Sequence, residues 1–154
     1  MTTKGRYALR AIIALAKLYE KNTLVSVNTL SEEEDISSLF LEQIFFKLKK
    51  AGIVKSIRGP GGGFLFNRPL DSISIREVLD AAGEELTVLP CDRQVSECDR
   101  ISDCIAHKVI ISLTDKINSY LEGITLQMLL ENPEWQCKSL KKKNKKQRTV
   151  NSEQ

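Results

Sequence analysis

"LEQIFFKLKKAGIVKSIRGPGGGF", residues 41–64, changes its periodicity halfway along. Leu41, Ile44, Phe45 and Leu48 recur at helical spacing and form the buried stripe of a helix over roughly 38–51. Ser37 is placed to cap its start and Gly52 to stop it. Beyond Gly52, "IVKSIR" (53–58) alternates apolar and polar as a strand does, and "GFLFNR" (63–68) reads as the returning partner. The joining "GPGGG" (59–63) permits turns and close approaches that side chains forbid.

Working outward, "NTLSEEED" (28–35) suits a short helix capped by Asn28, and only a few residues part it from the next helix. That spacing is a helix-turn-helix. Upstream, Ala8, Ile12, Leu15, Ala16 and Tyr19 mark an amphipathic helix over 4–21. Three helices followed by a hairpin make a winged helix-turn-helix, so the fold class is mainly α with a small β wing. "SIREVLDAAG" (74–83) adds one more helix, begun by Ser74 and ended by Gly83. A long helix follows over about 103–121, with Ser102 as its expected cap. Ile105, Val109, Ile110, Leu113, Ile117 and Leu121 form its apolar stripe. Standing outside the winged domain, that stripe calls for a second copy of the chain. "ITLQMLL" (124–130) is placed to cover the resulting interface. The expected division is a DNA-binding domain over 1–83, a cofactor loop over 84–103, dimerisation helices over 104–135 and a disordered basic tail over 136–154.

The net charge of +3 hides an asymmetry: residues 1–90 carry +1, residues 91–137 carry −4 and residues 138–154 carry +6. Hydrophobic content of 42% suits a chain that buries a core, and no apolar run approaches the roughly 20 residues a bilayer crossing needs. The first helix has charged residues between its apolar ones, unlike a signal peptide, so a cytoplasmic location with reduced thiols is expected. Lys47, Lys49, Lys50, Lys55 and Arg58 form a run with no acid among them, suited to a phosphate backbone. Ser38, Glu42 and Gln43 lie off the buried stripe near the start of the third helix, where base edges are read. Arg58, before the glycines, is placed to enter a minor groove from the wing. "GPGGG" lacks the lysine–serine ending of a P-loop, and no paired acid–base or nucleophile arrangement indicates an enzyme.

"CDRQVSECDRISDCIAH" (91–107) gathers three of the four cysteines and the only histidine. Cys91, Cys98, Cys104 and His107 lack the tight Cys-x2-Cys pairs of structural zinc, and acidic neighbours argue against deep burial. Three thiolates and an imidazole suit an iron–sulfur cluster; zinc and a thiol–disulfide switch stay open as alternatives. Cys137, beside the basic tail, is expected to have no part in it.

"TTKGRYALRA" (2–11), residues 41–64, "ISIREVL" (73–79) and "ITLQMLL" (124–130) together resemble the family of dimeric winged-helix regulators that includes IscR, NsrR, RirA and CymR. The resemblance covers residues 1 to about 135. It implies a homodimer on an operator in double-stranded DNA, regulating iron–sulfur assembly or related genes. It also implies that Glu42, Gln43 and Arg58 are base- and groove-contacting residues; the expected DNA face further takes in Lys4, Tyr7, Ser38, Lys55, Gly59 and Gly61. IscR-type members hold a 2Fe–2S cluster through three cysteines and a histidine, which map onto Cys91, Cys98, Cys104 and His107. NsrR relatives hold a 4Fe–4S cluster instead, in some cases with an acid early in the first helix. Here that region offers Ala8 and no acid before Glu20, which favours 2Fe–2S. CymR-like relatives, without a cluster and answering to a partner enzyme, are the remaining alternative. The chain departs from IscR by one extra residue between the first two cysteines and by its lysine-rich tail.

Overall fold

Helix α1 (Thr3–Leu18) forms where Ala8, Ala11, Ile12, Leu15 and Ala16 share one buried face, and the Thr2 hydroxyl caps it by accepting from the Gly5 amide. The computed structural model describes residues 1–19, 23–86, 88, 102–133 and 135. Helix α2 (Val27–Glu34) begins earlier than expected. Its cap is Ser26, which accepts from the Thr29 amide at 3.0 Å, and not Asn28. The cause lies one residue upstream: Val25 exchanges backbone hydrogen bonds with Phe64, holding the chain extended as far as Ser26. Helix α3 (Ser38–Lys50) follows from the Ser37 cap with Leu41, Ile44, Phe45 and Leu48 buried, as the stripe predicts.

Strands β1 (Val54–Ile57) and β2 (Gly63–Phe66) pair antiparallel, Val54 opposite Phe66 and Ile57 opposite Gly63. Both are shorter than the alternation suggests. In the turn, Gly59 and Gly61 have φ of 112° and 77°, which a side chain would strain. Phe45 of α3 stacks on Phe64 of β2 with ring centres 4.4 Å apart, so the wing is braced on α3. This is a mainly helical winged helix-turn-helix.

A 3₁₀ turn (Leu70–Ser72) leads into α4 (Ile75–Ala82), capped by Ser74 and ended by left-handed Gly83, as expected. Helix α4 buries Ile75, Val78, Leu79 and Ala82. Helix α5 (Ile105–Glu122) follows, and its cap is Cys104 where Ser102 was expected. Its expected stripe divides. Ile110, Ile117 and Leu121 are half-buried, while Ile105, Val109 and Leu113 are exposed, as is Tyr120 further along. Thr114 alone among its described residues is buried, and Arg76 of α4 holds it through a hydrogen bond to Asn118. Helix α6 (Leu126–Glu131) returns to the winged domain. Ile75 donates to the Ile124 carbonyl at 2.9 Å, Leu126 donates to that of Ile73 at 3.0 Å, and both Ile124 and Leu126 are buried in the core. So within residues 124–130, expected over a dimer interface, Ile124 and Leu126 belong to this chain's own core, while Met128 stays exposed. Among the described residues no helix is long and apolar enough to cross a membrane.

One carboxylate ties the end of this domain to its beginning. Glu84, only 4% exposed, accepts from the Thr2 amide at 2.6 Å and from the Thr2 hydroxyl. A Cβ on Gly5 would lie 2.6 Å from the Glu84 Oε2, so only glycine leaves room for it. Desolvation pushes the Glu84 pKa up, but the bonds from Thr2 and the nearby N-terminal amine together outweigh it, and the net effect is a carboxyl below its ordinary range. Stability from this contact is therefore complete above the usual glutamate pKa of about 4.3, and is lost as pH falls through the lower native value. Glu84→Gln should cost on the order of 1 kcal/mol at neutral pH. Denaturant titrations of both proteins should show that gap closing as pH falls below the ordinary carboxylate range.

Candidate nucleic-acid interface and cofactor donors

The side chains of α3 that the core does not take face outward with the wing. Glu42 and Gln43 are exposed, Ser38 is half-buried in the first turn, and Lys47, Lys49 and Lys50 occupy the last turn. Lys55, Arg58, Gly59 and Gly61 are exposed on the wing. An open groove of about 480 Å³ runs between helix and wing and brings Glu42 and Lys49 together with Arg58 and Gly59. Gln43 lines a second groove of about 590 Å³, with Lys47 and Lys50. Lys55 lies on β1, outside the lining of both.

Lys4 and Tyr7 come from α1. Tyr7 is half-buried, its ring edge-on to Phe40 of α3 at 5.5 Å, with the Arg10 guanidinium 5.6 Å above it. It braces the first turn of α3. Lys4 meets a residue whose significance the sequence does not reveal. The Lys47 Nζ donates to the Ala82 carbonyl at 3.2 Å, so α3 caps the end of α4. Its pKa is lowered, first by its side-chain contact with Lys4, then by desolvation and by the like charge. Two cations held side by side repel, and an anion between them would relieve that repulsion. A DNA phosphate is such an anion. Nothing in the local pattern links positions 4 and 47, which meet only when α1, α3 and α4 pack.

The proposed cofactor donors divide differently. Cys91 and Cys98 lie outside the described residues, as do Cys137 and the basic tail. Cys104 and His107 are described and stand three residues apart at the start of α5, where the Cys104 Sγ caps the helix by accepting from the His107 backbone amide at 3.4 Å. The His107 Nδ1 is buried and has no hydrogen-bond partner among the described residues. A thiol and an imidazole with an unused buried nitrogen, at one helix start, suit a metal group such as an iron–sulfur cluster. No group of three possible metal ligands assembles among the described residues.

Comparison with known proteins bears on both surfaces. Residues 1–132 match the family described as "Rrf2: Iron-dependent Transcriptional regulator". The chain belongs to the Rrf2 family. It is 37% identical over 134 residues to the HTH-type transcriptional regulator IscR of Escherichia coli O1:K1, covering 87% of this chain and 82% of that one. Among solved structures it resembles CymR, the global cysteine regulator of B. subtilis, with a TM-score of 0.69, 28% identity, and coverage of 84% of this chain and 94% of that one. It resembles T. potens IscR similarly, with a TM-score of 0.68, 27% identity and coverage of 84% and 85%. As an Rrf2 protein it is a DNA-binding transcriptional regulator.

If the Lys4 and Lys47 pair grips a phosphate, Lys4→Gln should weaken binding evenly across sequences. It should also reduce the slope of log affinity against log salt by about 0.9 for each bound protomer. Fluorescence anisotropy of a labelled duplex at several salt concentrations measures that slope. A wild-type slope in the variant would show that Lys4 meets no phosphate.

Proposed function

We propose that this Rrf2 regulator is a cytoplasmic homodimer that binds an operator through α3 and the wing and senses iron–sulfur status through a 2Fe–2S cluster held by Cys91, Cys98, Cys104 and His107. The genes it would control are those of iron–sulfur assembly or related supply. It acts by binding and not by catalysis. The observation that carries this reading is the start of α5, where Cys104 caps the helix and the buried His107 Nδ1 has no hydrogen-bond partner among the described residues. IscR and CymR neighbours share the fold about equally, so the fold does not choose between them; the three cysteines and one histidine of residues 91–107 support the IscR-like reading.

When bound, the cluster would supply an electron-accepting, oxidation-sensitive group whose presence reports iron and sulfide supply. The protein's own residues do the rest. Cys104 and His107 stand on α5, which carries exposed Ile105, Val109 and Leu113 for a second copy. Glu84, at the other end of the connecting segment, is fixed to the first turn of α1. Donors engaged at both ends of that segment restrict the placement of α5 against the winged domain. In a dimer this sets the distance between two wings, and half-sites about one helical turn apart discriminate between placements.

Cys98→Ala tests the ligand set without touching α5. The anaerobically purified variant should lose its visible absorbance and its iron, and should still sediment as a folded dimer. Full absorbance in the variant would remove Cys98 from the set. A monomeric variant would mean that Cys98 serves folding.

A further inference from the structure

The outer face of α3 is not wholly polar. Leu39 is 69% exposed and Phe46 is 70% exposed, two helical turns apart, with Glu42 and Gln43 between them. Both line the groove of about 590 Å³ that also contains Glu42, Gln43, Lys47 and Lys50. Phe46 and Glu42 further line the groove toward the wing, so Phe46 stands where the two meet. Neither apolar side chain belongs to the core, which takes Leu41, Ile44, Phe45 and Leu48 from this helix. Large apolar groups on an otherwise polar face mark a surface that something covers.

The charge around them indicates what covers it. Lys47, Lys49 and Lys50 follow on the helix and Arg58 faces it from the wing, so the occupant is a polyanion. In the DNA major groove the one apolar feature at a base edge is the C5-methyl group of thymine. We propose that Leu39 and Phe46 are specificity-determining residues that read thymine methyls on either side of the bases met by Glu42 and Gln43. The inference rests on α3 being the helix that enters the major groove. Seven residues rise roughly 10.5 Å along a helix, about three base-pair steps, which sets the spacing of the two thymines.

The test uses the full chain, purified anaerobically, and a duplex enriched from a random-sequence library. Each thymine is then replaced singly by deoxyuridine, which removes the methyl and leaves every hydrogen-bonding group. Wild type should lose about fourfold in affinity at two thymines of each half-site, some three base pairs apart. Phe46→Ser should be indifferent at one of these positions and Leu39→Ser at the other. Both side chains are exposed, so both variants should keep the wild-type melting temperature. Wild-type indifference to every deoxyuridine, or variants that retain the whole pattern, would overturn the proposal. So would an assembly larger than a dimer that Phe46→Ser dissolves, since the face would then serve a further copy. Gln43→Ala separates the two levels. If its selected sequence matches that of wild type, α3 is not the reading helix and the underlying reading fails. If its selection shifts while deoxyuridine has no effect, only the thymine proposal fails.

Discussion

The buried face of α4 is the contact on which the rest of the molecule depends. Ile75, Val78, Leu79 and Ala82 fill one side of an eight-residue helix, far too short to persist alone. It is stable because α1 and α3 cover it, and it returns that support at every edge. Its last carbonyls receive Lys47 from α3, Arg76 reaches Asn118 on α5, and Glu84 just beyond it fastens onto the start of α1. The segment leading into α6 pairs with the start of α4, Ile124 and Leu126 exchanging backbone hydrogen bonds with Ile75 and Ile73. The face offered to DNA and the helix bearing Cys104 and His107 are thus both attached to the same small element.

That arrangement gives the two surfaces a physical connection. The α3 face is rigid because its stripe is buried and its wing is braced by the Phe45–Phe64 stack. Helix α5 is different, since Thr114 is its one buried residue among those described. A sparsely covered helix attached to a tightly packed domain is the part whose placement other contacts can decide. In the proposed dimer, a second copy along Ile105, Val109 and Leu113 and a cofactor at Cys104 and His107 would both act on it. Coupling between sites requires an element that both sites bias, and under the proposed function α5 is that element.

The local features were legible in the sequence because their causes are local. The α3 stripe, the Ser37 and Ser74 caps and the glycine turn each depend on residues a few positions apart. Where two capping residues competed, position alone could not choose. Ser26 starts α2 because Val25 is held by Phe64, thirty-nine residues away, and Cys104, not Ser102, starts α5. The return of Ile124 and Leu126 to the core was hidden for the same reason, as were the meetings of Glu84 with Thr2 and of Lys4 with Lys47. Phe46 and Leu39 did leave a signal, being apolar and off the buried stripe, but only an exposed face next to a basic wing gives that mismatch a use. Of the donor set, Cys104 and His107 stand at the start of α5, where the Cys104 Sγ caps the helix by accepting from the His107 backbone amide, while Cys91 and Cys98 lie outside the described residues.

The claim at the centre of this account is that the state of the donors at the start of α5 reaches the DNA face. Its direct measure is the dissociation constant for one selected duplex at fixed salt, taken anaerobically on cluster-loaded protein and again after the iron has been removed. A coupling of about 1–3 kcal/mol predicts constants that differ by at least roughly fivefold, with the dimer intact in both states. Equal constants from two folded dimers would contradict the account.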